Sequence, residues 1–335
     1  MSVLITGVGA VAEEPRPGDG EPWFDPAAHL GRRGWKYLTP ATRYLLAAGN
    51  EALGRRHDDP PLTGAAAERF GVVTGTQYAI TRVHRRMNSV LSTEGVHGIS
   101  PAEVPGFSMN TPGSQLAIST GARAFSVTLT NPVTAGLEAV QFAVTALRGG
   151  RADTVVAAAA DQAPEDHGAR GEYDAAAAVV LTVGGHAPGP AGAARPLARV
   201  TGGLSRFLPP GPAGDRDPAA LAATAARVAA LAHDAAMTPG ADGVRLAVGA
   251  PAAAAPLAAA VRDAVAKALA GDGIPVRDPA GDGTRRARHC AASGLLDLIG
   301  LVRAGEPALL VSLSELGHLT AIGVNGAGAV GPEFI

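Results

Sequence analysis

Residues 125–161, FSVTLTNPVTAGLEAVQFAVTALRGGRADTVVAAAAD, constrain the fold more than any other stretch, because they read as strand, sharp turn, helix, turn and strand without a break. Ser126 to Thr130 alternate and carry β-branched side chains, as strands favour. Asn131-Pro132 marks a turn, since proline fixes φ and cannot donate to a ladder. From Val133 the period changes, and Leu137, Val140, Val144 and Leu147 form the stripe of a helix with one buried face. Arg148 places a cation at the negative helix end, Gly149-Gly150 supplies the stop, and Asp153 to Ala160 is an apolar run of strand length. Two strands joined through one helix are expected to lie parallel, with a right-handed crossover. Val133 and Thr134 then sit at a helix N-terminus, where free N–H groups and the positive dipole end favour a thiolate or an oxyanion. Thr134 is expected to cap the helix.

With 335 residues, 47% of them hydrophobic, the chain has material for one large domain or two fused halves. A net charge of -2 gives no basic footprint for nucleic acid. No apolar run approaches the ~18 residues of a membrane helix. The start, MSVLITGVGAVAEE, lacks a basic n-region and turns acidic, so it does not read as a signal peptide. The single cysteine, Cys290, allows no internal disulfide, which fits a cytoplasmic protein.

In chain order, Val3 to Thr6 reads as a strand running into Gly7-Val8-Gly9-Ala10-Val11-Ala12, which formally fits a dinucleotide fingerprint. That fingerprint needs a helix opening on the glycines, and Glu13-Glu14-Pro15 cannot supply one, so the glycines read as a strand end. Residues 13–34 read as a loop, Thr39 to Leu53 as a helix capped by Thr39, and Phe70 to Thr76 as a strand. Residues 77–111 fit no simple element, although Ile80 to Leu91 has helical spacing, with Arg82, Arg85 and Arg86 on a solvated face. A helix follows over 112–121. Ala175 to Val183 is an apolar strand and Gly184 to Arg195 a link. The order then recurs: helix from Asp217 to Met237, strand 244–248, helices 252–269 and 291–302, strands 308–313 and 319–324. Such repetition indicates an internal duplication and a layered α/β fold, with one half at 1–195, carrying an insert at 77–111, and the other at 196–335.

The stretch Val133-Thr134-Ala135-Gly136-Leu137, followed by a helix and Gly150-Arg151-Ala152-Asp153, resembles the β-ketoacyl synthase family. In that family the turn carries the catalytic Cys. The resemblance implies a thiolase-like five-layer αβαβα fold built from two similar halves, with the insert 77–111 beneath the active site and along a dimer contact. It also implies that Val133 stands at the Cys position, where an aliphatic side chain has no acyl-accepting atom. The family's first His would follow the strand 244–248, where Gly249-Ala250-Pro251-Ala252 has none. The second matches His289, in Arg288-His289-Cys290-Ala291-Ala292-Ser293-Gly294, while the Lys position is Thr284. Glu315, in Ser314-Glu315-Leu316-Gly317, replaces the oxyanion-hole Phe, and a carboxylate there repels a developing oxyanion.

A ketosynthase-like chain without its Cys implies a chain-length factor, the non-catalytic partner that forms a heterodimer with an active ketosynthase in polyketide or polyene synthesis. Such factors usually carry Gln at the Cys position, so Val133 is a departure. The resemblance places Phe107, Met109, Gln115, Val133 and Thr134 along the substrate tunnel or interface. It implies no cofactor beyond acyl chains delivered on the phosphopantetheine of an acyl carrier protein. Two alternatives stand beside it: a thiolase-fold acyltransferase of changed chemistry using His289, and a stand-alone acyl-binding homodimer. His289 without a Cys partner reads as a hydrogen-bonded residue or a relic of the second His, and Cys290 as packing. Glu315 and His318 lack a third metal ligand.

Overall fold

Among the described residues eleven strands form one sheet, in which Phe125–Leu129, Phe70–Gly75, Thr154–Asp161, Ala175–Val183, Val3–Ala12, Ala198–Phe207, His318–Gly326, Ala308–Leu313, Val244–Ala250 and Val276–Arg277 are successive neighbours and Thr284–Arg286 also pairs with Val244–Ala250. The structure, a computed structural model, describes residues 2–14, 22–164, 171–184, 196–210, 216–236, 243–277 and 284–326. The strands are β1 (Val3–Ala12), β2 (Phe70–Gly75), β3 (Phe125–Leu129), β4 (Thr154–Asp161), β5 (Ala175–Val183), β6 (Ala198–Phe207), β7 (Val244–Ala250), β8 (Val276–Arg277), β9 (Thr284–Arg286), β10 (Ala308–Leu313) and β11 (His318–Gly326). The helices are α1 (Pro26–Leu30), α2 (Pro40–Leu53), α3 (Gly64–Glu68), α4 (Thr81–Thr93), α5 (Thr111–Thr120), α6 (Ala135–Arg148), α7 (Pro218–Ala236), α8 (Ala255–Gly271) and α9 (Ser293–Ala304).

Each half of the sheet follows the same path. In the first, β2 is parallel to β3 and β4, and β5 runs antiparallel between β4 and β1. In the second, β7 is parallel to β8, β9 and β10, and β11 runs antiparallel between β10 and β6. Strands β1 and β6 join the halves antiparallel over Val3↔Val200, Leu4↔Arg199 and Ile5↔Ala198. As the central stretch predicts, β3 and β4 run parallel, with β2 between them.

The two-residue period of the strands separates the layers. On β4, Val155, Ala157 and Ala159 face an inner core, while Val156, Ala158 and Ala160 face an outer one shared with α2 and α5. On β10, Ala308 and Leu310 face the inner core, and Leu309, Val311 and Leu313 an outer one with α7 and α8. Helices α6 and α9 fill the middle, with Leu137, Val140, Val144 and Leu147 packed among Leu295, Leu298, Ile299 and Val302. The layers are therefore αβαβα, the thiolase-like fold. Glycine sets how closely the central helices meet: a Cβ on Gly136 would lie 2.3 Å from the Ala291 carbonyl oxygen, and one on Gly294 2.8 Å from Leu137 Cγ.

Several boundaries differ from the sequence reading. Strand β1 continues through Gly7 and Gly9 to Ala12, paired with β5, so the apparent fingerprint is ladder. A Cβ at Gly7 or Gly9 would meet the Ala52 or Ala48 carbonyl oxygen of α2 at 1.9 or 2.3 Å, so these glycines serve helix packing rather than phosphate. Helix α1 interrupts the loop expected at 13–34, and α4 with two 3₁₀ turns, Val96–Gly98 and Val104–Phe107, orders the insert. Strand β6 had no counterpart in the sequence reading. Most of the link at 184–195 and Met237 lie outside the described residues. Arg82 is not solvated but donates to the Ala163 carbonyl, at 3.0 Å from Nε and 2.7 Å from Nη2, and lies 3.9 Å from Asp174. No described helix is long and apolar enough to cross a membrane.

Candidate functional site

The turn from β3 into α6 holds Val133 at φ 64°, 5% exposed. A β-branched residue in the left-handed region is a steric outlier that costs about 1–2 kcal/mol. The corresponding turn before α9 holds Cys290 at φ 50°, also buried. Backbone strain of this kind collects where a strand-to-helix turn presents a side chain to a site. Here the strained turn persists with a side chain that cannot react. Thr134 occupies the cap position of α6, but its hydroxyl makes no capping bond and instead donates to Glu138 Oε1 at 2.9 Å, which corrects the expected role.

A buried carboxylate holds the surroundings of this turn. Asp161, the last residue of β4, accepts from Thr76 Oγ1 at 2.8 Å, from the Gln77 amide at 2.8 and 3.1 Å, from the Tyr78 amide at 2.6 Å and from the Ala291 amide at 2.9 Å. Burial pushes its pKa up to about 6, and the four donors act against that shift. Gln77, fixed by this bond, accepts from the Val133 amide through Oε1 at 3.1 Å. On the far side, Ser312 Oγ donates to the Val133 carbonyl at 3.4 Å.

Above the turn lies a cavity of about 340 Å³, lined by Gln77, Tyr78, Pro132, Val133, Glu172, Pro251, Ala252, Ala253, Arg286, Ala287, Ser314 and Glu315. Segments far apart in sequence meet here: the turn itself, Pro251 and Ala252 after β7, Arg286 of the arginine-rich turn, and Glu315 after β10. Among the described residues the lining offers carboxylates, a guanidinium, amides and hydroxyls, and no thiol or imidazole. It can hold a ligand by hydrogen bonds.

His289 is not part of the lining. Its Nε2 faces the Glu13 carbonyl at 2.9 Å, its ring lies 6.1 Å from Tyr173, and its amide donates to Ser293 Oγ at 2.8 Å. Arg285 pairs with Asp297 at 2.7 Å, and burial raises the Asp297 pKa despite that partner. Phe107, Met109 and Gln115 do not line the cavity. Phe107 is 48% exposed and stacks on His84, Met109 packs against the outer core of the first half, and Gln115 is half-buried on α5. His318 belongs to a separate cleft of about 570 Å³ with Phe207 and Glu138. Among the described residues no group of three or more His, Cys, Asp or Glu side chains could hold a metal. The sequence reading missed Gln77, Tyr78, Glu172 and Asp161. Of these only Asp161 had a visible signal, a carboxylate ending an otherwise apolar strand.

The fold is thiolase-like. Residues 19–184 match the family model for the N-terminal domain of β-ketoacyl synthases, so this part of the chain is β-ketoacyl synthase-like. Solved structures of the same fold include the ishigamide ketosynthase/chain length factor, at 19% identity and a TM-score of 0.70, covering 97% of this chain and 99% of that one. A type II PKS acyl-carrier protein in complex with its ketosynthase bound to the hexaketide, AntDE:AntF, gives 16% identity and a TM-score of 0.74 over 97% and 99%. A β-ketoacyl synthase from Burkholderia phymatum STM815 gives 14% identity and a TM-score of 0.69 over 97% and 99%. No curated protein sequence matches the chain.

Proposed function

We propose that this chain is a non-catalytic chain-length factor, with halves at 1–195 and 196–335, that pairs with an active ketosynthase and shapes the acyl tunnel in polyketide or polyene synthesis. The observation that carries the reading is Val133: it occupies the strained, buried turn that lines the cavity, where acyl transfer needs a nucleophile. The acyl chain arrives on the carrier protein's phosphopantetheine, and this chain contributes wall rather than chemistry. Purified alone and offered acyl- and malonyl-carrier protein, it is expected to form no covalent acyl adduct, as read by intact mass.

The pairing surface is proposed at 77–132. Among the described residues strand β3 is an edge of the sheet. Among the described residues nine large hydrophobic side chains stand exposed, and five lie in this segment: Leu91, Val96, Val104, Phe107 and Ile118. Exposed apolar side chains in a segment that also carries a sheet-edge strand fit an obligate contact. Co-expressed with a ketosynthase, the chain is expected to form a one-to-one complex burying ~2,000 Å² or more. A monomer by light scattering that ignores the ketosynthase overturns the reading.

A further inference from the structure

The Val133 amide points from the start of α6 toward the cavity, and Gln77 Oε1, 3.1 Å away, accepts its hydrogen bond. We infer that Gln77 is a plug against thioester binding: its side-chain carbonyl fills the place that a thioester carbonyl oxygen would need in order to reach this amide. The inference rests on the ketosynthase-like reading of the cavity. It makes the turn closed to thioesters by a device separate from the missing nucleophile.

The plug is held from below. Gln77 N donates to Asp161, the flanking Thr76 hydroxyl and Tyr78 amide donate to the same carboxylate, and Ala79 N donates back to Thr76 Oγ1 at 3.1 Å. With residues 76–79 pinned, the side-chain carbonyl competes for the Val133 amide at the high effective concentration of an intramolecular partner. An external carbonyl has to displace it.

The consequence appears once a thiol is supplied. In a Val133→Cys variant, the thiolate sulfur attacks the thioester carbonyl carbon, and the carbonyl oxygen takes the negative charge. Collapse breaks the old C–S bond, leaving an acyl-cysteine, and the departing thiolate takes up the proton lost by the cysteine. No redox change occurs. The charged oxygen needs the amide of residue 133, and Gln77 Oε1, itself an acceptor, repels it there.

The test compares full-length Val133→Cys with Val133→Cys/Gln77→Ala, using hexanoyl-N-acetylcysteamine as thioester and following the acyl adduct by intact mass. Iodoacetamide, whose reaction develops no oxyanion, reports thiol access. Expected is an acylation rate about tenfold or more higher in the double variant, with the two iodoacetamide rates agreeing within about twofold. Equal acylation in both variants, absence of acylation in both, or a parallel rise with iodoacetamide overturns the plug. A second measurement guards against misfolding: in Gln77→Ala alone, with Val133 in place, the residue 133 amide is expected to exchange hydrogen faster while the melting temperature holds, and unchanged protection overturns the proposal. Failure to pair with a ketosynthase would remove the chain-length-factor reading and leave these results standing.

Discussion

Asp161 and Ala291 are 130 positions apart, yet the Asp161 carboxylate accepts from the Ala291 amide at 2.9 Å, tying the end of β4 to the turn before α9. This buried bond links the two halves directly beneath the candidate site. In Asp161→Asn, one carboxylate oxygen becomes a donor facing another donor, at Ala291 or at Gln77 and Tyr78. A buried donor left unsatisfied costs about 1–3 kcal/mol. Chemical denaturation is expected to show a loss of that size, and an unchanged midpoint would contradict it.

The same carboxylate sets a pH dependence. Its folded pKa is raised by burial from 3.8 to about 6, so the folded chain binds this proton more tightly than the unfolded chain. The stability it contributes is fully present below the ordinary pKa and is lost as pH rises through about 6, on the order of 3 kcal/mol at most. Subtracting the unfolding free energies of Asp161→Asn from those of the natural chain between about pH 4 and pH 6 is expected to leave a downward slope with pH. An upward slope would mean that the hydrogen bonds outweigh burial.

Ile118, 68% exposed on α5, tests the pairing surface without disturbing the core. Ile118→Asp is expected to leave monomer stability within about 0.5 kcal/mol and to abolish or greatly weaken the complex with a ketosynthase on size-exclusion chromatography. An intact complex would move the interface away from α5.

Length control is expected at Phe107 and Met109. Forcing extra atoms into a packed wall costs ~1–3 kcal/mol, enough to stop elongation sharply. Phe107→Ala and Met109→Ala in an active complex are therefore expected to lengthen products by one or more two-carbon units, whereas His289→Ala leaves them alone. Phe107 gives the cleaner test, because Met109 also packs against a core. Unchanged product lengths by mass spectrometry would take this region out of the tunnel, and a dead complex from His289→Ala would give that residue a catalytic role.

Periodicity and caps were legible because they are local. The strand, turn and helix of 125–161 fall within two residues of their expected bounds, and Thr39 caps α2 by accepting from the Thr42 amide. Strand β6 was not legible: Ala-Arg-Val-Thr-Gly-Gly-Leu-Ser-Arg-Phe has no clear alternation, and it is a strand because β11 and β1 flank it. The glycines of β1 were legible as strand rather than fingerprint, but their purpose was not, since it lies in the close approach of helix α2.

By itself the sequence determined that position 133 follows a strand, opens a helix and carries no nucleophile, since side-chain chemistry and hydrophobic period need no partner. Only the tertiary structure decided that Gln77, 56 residues earlier, caps the Val133 amide, that Arg286 and Glu315 share its cavity, and that His289 turns to Glu13 instead. Those outcomes depend on which strand ends the sheet brings side by side, and a hydrogen bond between distant residues leaves no period in the chain to read.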